Sequence, residues 1–416
     1  MIFFYKTGIF IYSLIIRFYS VFNEKARFFV RGRKNWKKNL AQKIDVNSKY
    51  IWFHCASLGE FEQGRPVIEE LKEQFPQYKI VLTFFSPSGY EIRKNYALAD
   101  VVAYLPMDTK QNAKAFLDIV NPEKAFFVKY EFWHFYISEL KKREIPLYII
   151  SAIFRENQQF FKKTPWGKWY LKTLTRVDHF FIQNEKSGEL LKTVGISNFT
   201  VSGDTRFDRV AAIAKVSKEI PIVEKFRGNS MLIVAGSTWK PDEELLAEFI
   251  NQNTDIKFII APHEVSVANM NRIQQLLKKP AVLFSKVNEP EIDTFQVLII
   301  DSVGLLSSLY RYGKIAYIGG GFGVGIHNIL EAATFGLPVI FGPNYKKFKE
   351  AVDLTVEGGA CSVSDSVELR NALNKLISQK TELDKASEIC RNYVAKNVGS
   401  TKLIIKKVFN TKPFSD

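Results

Sequence analysis

The stretch GGGFGVGIHNILEAATFGLPVIFGP, Gly319–Pro343, decides how the second half of this chain is read. It follows the apolar run KIAYI (314–318). Its glycines at 319, 320, 321, 323 and 325 form a loop whose backbone can approach a ligand closely, because no Cβ stands in the way. The spacing predicts that His327 and Asn328 open a helix, with Glu331 one turn further on, before a second apolar strand, PVIFG (338–342). Strand, glycine loop, helix and strand make one step of a parallel α/β sheet. The loop is not the dinucleotide fingerprint, since the acidic residue expected at the following strand end is missing.

Outward from this stretch the same alternation repeats. MLIVAG (231–236), KFIIAP (257–262) and VLII (297–300) precede it as short β-branched runs, as buried parallel strands are. Further back stand IWFHCA (51–56), KIVLTFF (79–85), VVAYLP (101–106), KAFFVK (124–129), PLYIIS (146–151), HFFIQN (179–184) and FTVSG (199–203), separated by helix-length amphipathic segments. The pattern loosens from Arg209 to Ser230 and then restarts. At 416 residues the chain exceeds the roughly 250 to 300 at which one core stops growing. The expectation is an α/β protein of two Rossmann-like domains, 41–215 and 216–416, framing a cleft, with TKLIIKKVF (401–409) as a last helix that can return to the first domain.

Residues 1–40 are a separate segment. They hold nine Lys or Arg against Glu24 alone, about half of the chain's formal net charge of +15. IFFYKTGIFIYSLIIRFYSVF (2–22) is apolar but interrupted by Lys6 and Arg17, and KARFFVRGRKNWKK (25–38) interleaves basic and aromatic residues. Anionic lipid attracts such segments, and aromatic rings settle at headgroup level. The segment therefore reads as a membrane-associating helix on an anionic surface. A signal peptide, a helix packed on the body of the protein and a nucleic-acid arm are the competing readings. No downstream segment resembles a nucleic-acid module, and no nucleic-acid partner is expected. Three widely spaced cysteines (Cys55, Cys361, Cys390) and five histidines without metal-site spacing fit a reducing compartment and chemistry without a metal or other cofactor.

Ligands of doubly wound sheets bind outside the carboxyl ends of the strands, so the loops that follow strands carry the chemistry. In CASLGEFEQGRP (55–66), Glu60 falls in the first turn of a helix, where it is a capping acid or a general base. In KYEFWHF (129–135), Glu131 takes the same slot after another strand, and Trp133 packs in the core or stacks on a sugar. In SGDTRFDRV (202–210), Arg206 is a surface arginine or meets a phosphate or carboxylate through its fork. AGSTWKPDEE (235–244) offers Ser237 and Thr238 in a turn at a helix start suited to phosphate. APHEVS (261–266) and DSVGLL (301–306) are further turns after strands.

Together, HCASLGE, YEFW, SGDTRFD, GSTWKPDEE, APHE and HNILEAATFGLPVIFGP resemble, in order and spacing, the 3-deoxy-D-manno-oct-2-ulosonic acid (Kdo) transferases of lipopolysaccharide synthesis, enzymes of the GT-B glycosyltransferase fold. The resemblance covers essentially the whole chain. It implies transfer of Kdo from CMP-Kdo to lipid IVA, with inversion, at the cytoplasmic face of the bacterial inner membrane. It implies Glu60 as proton acceptor, and Glu131 and Arg206 as stabilisers of the transition state. CMP contacts are implied at Pro262 and His263, at Val303, Gly304 and Leu305, and at Asn328, Ile329, Leu330 and Glu331, with Ser237 and Thr238 near the phosphate. The chain departs from the family pattern at Lys129, where relatives commonly carry Glu, at Arg206, where they carry Lys, and at Trp239–Lys240–Pro241, where they carry His-Glu-Gly. Two other readings stay open at this point: a GT-B transferase or epimerase with a uridine donor, and an inactive membrane-bound scaffold.

Overall fold

A computed structural model describes residues 1–216, 219–287 and 289–410. The chain divides into two compact units, Met1–Arg209 together with the segment from Val398, and Val210–Asn397. Three helices open the first unit: α1 (Ile2–Tyr19), α2 (Glu24–Arg31) and α3 (Trp36–Ala41). Seven strands follow: β1 (Tyr50–Cys55), β2 (Lys79–Phe84), β3 (Val101–Tyr104), β4 (Lys124–Val128), β5 (Leu147–Ala152), β6 (His179–Ile182) and β7 (Phe199–Val201). Their order is β3-β2-β1-β4-β5-β6-β7, with every pairing parallel.

β1 is buried along its whole length because the sheet is covered on both faces, and the two-residue period divides its side chains between two cores. Tyr50 and Trp52 pack with Phe116 and Phe127 on one face. Ile51, Phe53 and Cys55 pack on the other with Phe61, Val67 and Ile68 of α4 (Leu58–Gln74). The terminal helix Ser400–Phe409 joins this second core through Ile404, Ile405 and Val408. Asp208 holds its start by accepting from the backbone N–H of Gly399 and Thr401 and from the Thr401 hydroxyl.

The second unit has β8 (Leu232–Thr238), β9 (Lys257–Pro262), β10 (Ala281–Leu283), β11 (Val297–Ile299), β12 (Ile315–Ile318), β13 (Val339–Phe341) and β14 (Ala360–Ser362), in the order β10-β11-β9-β8-β12-β13-β14, again all parallel. The expected strands are present. β10 and β14 are additions, three-residue edge strands with no loop motif after them to mark them in sequence.

The N-terminal segment is two-sided. Phe3, Phe4, Phe10, Phe18 and Phe22 are exposed, and α1 is long and apolar enough to cross a membrane by length and composition. Tyr5, Ala26 and Phe29 are nevertheless buried. Arg33, read above as one of the lipid-facing basic residues, points inward instead. It donates to the carbonyls of Phe29 (3.0 Å), Phe85 (2.7 Å) and Leu105 (2.9 Å), with the Phe29 ring 3.6 Å from its guanidinium. Burial disfavours its charge, and three carbonyl dipoles and an aromatic face offset that cost.

Tyr5 fixes α1 to the body through a short hydrogen bond to Asp108, which also accepts from the backbone N–H of Phe135 and Tyr136, each at 3.1 Å. Burial raises the Asp108 carboxyl to about 6 even against these bonds. An unfolded aspartate titrates at about 3.9, so between these values the folded chain holds a proton that the unfolded chain has released. The stability this adds is complete below about pH 4 and lost as pH rises through 6. Urea melts of the protein and of Asp108→Asn should accordingly show wild type gaining on the variant from pH 7 to pH 4.5. A difference independent of pH would rule this out.

Candidate functional site

In the first unit the strand order reverses between β1 and β4, which opens the sheet at its carboxyl ends. Glu60 and Glu131 flank this switch point. Glu60 lies in the first turn of α4, and the Ser57 hydroxyl at the helix N-cap donates to its carboxylate. Gly64, a turn further on, lets α4 settle against the sheet, since a Cβ there would lie 3.1 Å from both Cys55 Sγ and Val128 Cγ2. The Cys55 thiol at the end of β1 is raised by burial and, in addition, by the carboxylates of Glu60, Glu131 and Glu62. The two sequence-predicted acids therefore share one electrostatic neighbourhood.

Glu131 stands in the loop after β4, where Lys129 adopts a left-handed backbone (φ 68°). Its carboxylate accepts the Trp133 indole N–H at 2.6 Å and lies 3.3 Å from His54 Nε2. Trp133 Nε1 is also 3.1 Å from His54 Nε2, and its ring packs 4.7 Å from that of Phe85. Trp133 is thus a packed donor that aims Glu131. His54 is fully buried, its Nδ1 at 2.9 Å from the Thr83 hydroxyl and 3.2 Å from the Thr83 carbonyl. A carbonyl only accepts, so Nδ1 carries a proton.

Arg206 meets a carboxylate of its own unit. It opens the helix Arg206–Val216, and its Nε donates to Asp204 Oδ2 at 2.9 Å with Nη2 at 2.8 Å. Asp204 accepts Gln63 Nε2 of α4 at 3.0 and 3.1 Å. Burial alone would raise the Asp204 carboxyl, but the Arg206 charge and hydrogen bonds hold it below the ordinary value. The helix that carries Glu60 therefore also holds Arg206, through Gln63 and Asp204. Both lie in the stretches 55–66 and 202–210, but neither showed a role in sequence, because a hydrogen bond between residues 141 apart leaves no local pattern.

The second unit reverses between β8 and β12. β8 continues through Ser237 and Thr238 with a break in its register between Gly236 and Thr238, so a bulged strand stands where a turn was expected. Ser237 has φ 53°, while Thr238 is buried and donates its hydroxyl to Glu243 at 3.0 Å. Its side chain faces inward. Across the switch point the Gly319 N–H donates to Gly236 O at 2.9 Å, and a Cβ at Gly319 would lie 2.3 Å from Ser237 O. The glycine is required by this close approach. Asp242 organises the loop, accepting from the N–H of Gly320 and Trp239, both at 2.9 Å, and from the Tyr317 hydroxyl at 2.8 Å.

The helix expected to open at His327 starts at Leu330 instead and runs only to Thr334. Residues 325–329 are irregular, because the glycine loop folds back so that the His327 N–H donates to Gly319 O at 3.2 Å. Asn328 accepts from the Leu330 N–H and donates to Glu331 at 3.1 Å, which places Glu331 in the first turn. Ile329 and Leu330 are core residues, so only their backbone can reach a ligand. Pro262 ends β9, His263 is exposed beside it, and Val303, Gly304 (φ 96°) and Leu305 lie in the loop after β11. All the candidates of this unit stand at the carboxyl end of its sheet. Among the described residues no cluster of His, Cys, Asp or Glu has the makings of a metal site.

Two doubly wound parallel domains, one carrying two carboxylates at its switch point and the other a glycine loop, have the architecture of the GT-B class of glycosyltransferases. Residues 28–209 match the family model described as 3-Deoxy-D-manno-octulosonic-acid transferase (kdotransferase). The 3-deoxy-D-manno-octulosonic acid transferase of Aquifex aeolicus is 29% identical over 83% of this chain and 92% of its own length. Those of Rickettsia bellii and Haemophilus influenzae are 26% and 24% identical over 84% and 85% of this chain, and 85% of their own length in each case. The chain is therefore similar to Kdo transferases over most of its length. Among solved structures, UDP-GlcNAc 2-epimerase from Neisseria meningitidis bound to UDP-GlcNAc superposes with a TM-score of 0.62 at 17% identity, covering 87% of this chain and all of that one. The UDP-GlcNAc 2-epimerase of Methanocaldococcus jannaschii does so at 0.53 and 15%, over 88% of this chain and 100% of its own. At such identities the likeness is one of fold.

Proposed function

We propose that this protein transfers Kdo from CMP-Kdo to lipid IVA with inversion at the anomeric carbon, at the cytoplasmic face of the inner membrane. The observation that carries the reading is the placement of Glu60. It is a partly exposed carboxylate at a sheet switch point, oriented by Ser57 on the helix that also holds Arg206. In the reaction Glu60 accepts the proton of a glucosamine hydroxyl of the lipid while the oxygen attacks the Kdo anomeric carbon. The bond from that carbon to the phosphate oxygen breaks, and CMP leaves with the electron pair. One displacement inverts the centre and needs a single base, unlike the acid and nucleophile pair of retaining glycosidases.

Charge growing on the leaving phosphate is met by Arg206 and by backbone N–H groups, with Glu131 stabilising the transition state and no metal required. Donor contacts fall at Ser237, Pro262, His263, Val303 to Leu305 and Asn328 to Glu331. The acceptor's lipid chains place the reaction at a bilayer surface. The exposed Phe3, Phe10, Phe18 and Phe22 of the N-terminal segment suit such a surface, as do the basic residues that follow.

Incubation of the protein with CMP-Kdo and lipid IVA in anionic vesicles, followed by mass analysis, should show the acceptor heavier by one or more Kdo units and free CMP. No mass gain with CMP-Kdo, alongside turnover of a uridine-linked sugar, would overturn the donor assignment.

A further inference from the structure

Three aromatic rings meet at the carboxyl end of the second sheet, and only one of them belongs to the donor contacts named above. Trp239 follows β8, His263 follows β9, and His327 ends the glycine loop after β12. The Trp239 and His327 rings are nearly coplanar, 12° apart with centroids 6.5 Å apart, and the indole N–H donates to His327 Nε2 at 3.0 Å. They form one flat hydrogen-bonded pavement. The His263 ring lies across it, 4.4 Å from Trp239 at 23° and 4.6 Å from His327 at 26°. His263 is exposed, and Trp239 retains 37% of its surface. A tryptophan this exposed beside a glycine loop is unusual for core packing, where its N–H and ring would both be enclosed.

The pavement is fixed from beneath. Asp242 accepts the Trp239 N–H, the same carboxylate oxygen accepts that of Gly320, and the His263 N–H donates to Thr238 O at 2.9 Å. A Cβ at Gly320 would lie 3.0 Å from His327 Cδ2, so the glycine backbone abuts the imidazole edge. An indole N–H can only donate, which requires an unprotonated Nε2 on His327. Burial, and next the neighbouring His263, lower the pKa of His327 and keep that nitrogen available.

We propose that Trp239 is a specificity-determining residue of the nucleotide site. Paired with His327, it holds the His263 ring in the plane on which the heteroaromatic base of the donor nucleotide stacks. This rests on the cytidine-donor reading above and adds to it the residue that positions the ring on which the base stacks. Stacking of a base on an aromatic side chain is worth about 1–3 kcal/mol by alanine substitution, roughly 5- to 150-fold in affinity.

The test is calorimetric titration of the full-length protein, Trp239→Ala and Trp239→Phe with two probes, CMP and ribose 5-phosphate, which carries the same phosphoribose without a base. Wild type should bind CMP more tightly than ribose 5-phosphate. Trp239→Ala should weaken CMP about 5- to 150-fold, and Trp239→Phe, which keeps a ring but loses the N–H, by less. Both variants should leave ribose 5-phosphate unchanged and raise the donor KM more than they lower kcat. Equal weakening of both probes, or of neither, in a variant that melts with wild type would overturn the proposal while leaving the donor reading intact. Failure of the wild-type protein to bind CMP would overturn both.

Discussion

Glu60→Gln should lower kcat for Kdo transfer by about 10² to 10⁴, the usual contribution of a positioned general base, while CMP affinity stays within a factor of two or so of wild type. The amide keeps the size of the carboxylate and can still accept the Ser57 hydroxyl, so α4 and its Gln63–Asp204–Arg206 chain remain in place. What disappears is the ability to take a proton. Turnover of CMP-Kdo measured by CMP release, with product checked by mass, decides it. A variant that turns over at nearly the wild-type rate would remove Glu60 from the chemistry and leave it the capping acid that its place in the first turn also allows.

The second large effect is expected at Asp242→Ala. This buried carboxylate accepts three hydrogen bonds, from the Trp239 and Gly320 N–H groups and from the Tyr317 hydroxyl. Burial raises its pKa and the three donors oppose the rise. Alanine leaves buried donors without partners at about 1–3 kcal/mol each, so a loss of roughly 3–5 kcal/mol is expected, a large share of the ~5–15 that holds a domain together. The glycine loop and the Trp239 ring are released together, so CMP affinity should fall with stability. Asp242→Asn, which keeps an acceptor, should lose less of both. Urea unfolding and CMP titration measure the two effects, and an alanine variant within about 1 kcal/mol of wild type would contradict this account of the loop.

These residues show how differently the parts of the molecule could be read in advance. The long strands were plain from sequence, since a parallel strand covered on both faces must be apolar throughout, as IWFHC is. β10 and β14 were not, because three residues barely repeat the two-residue alternation and, unlike FTV of β7 with SGDTRFD after it, neither is followed by a recognisable loop motif. HNILE has helical spacing but begins its helix only at Leu330. The backbone from Gly319 first turns back on itself, held by Asp242, and a side chain reaching from another element leaves no local trace. In the same way the basic residues of the N-terminal segment looked alike in sequence. Only the packing of Phe29, Phe85 and Tyr104 around Arg33 separates an internal staple from residues free to meet lipid.

Sequence by itself determined the class of fold, the alternation of strand and helix, and the loops in which Glu60, Glu131 and the glycines fall. Those depend on apolar periodicity and backbone freedom, which act between near neighbours along the chain. The tertiary structure decided what each functional side chain is bonded to. Gln63 and Asp204 are 141 residues apart, and Trp239 and His327 are 88 apart. Such pairs meet only because the order of strands in a parallel sheet brings distant loops to one edge, and the hydrogen bonds that then satisfy buried polar groups are set by that order.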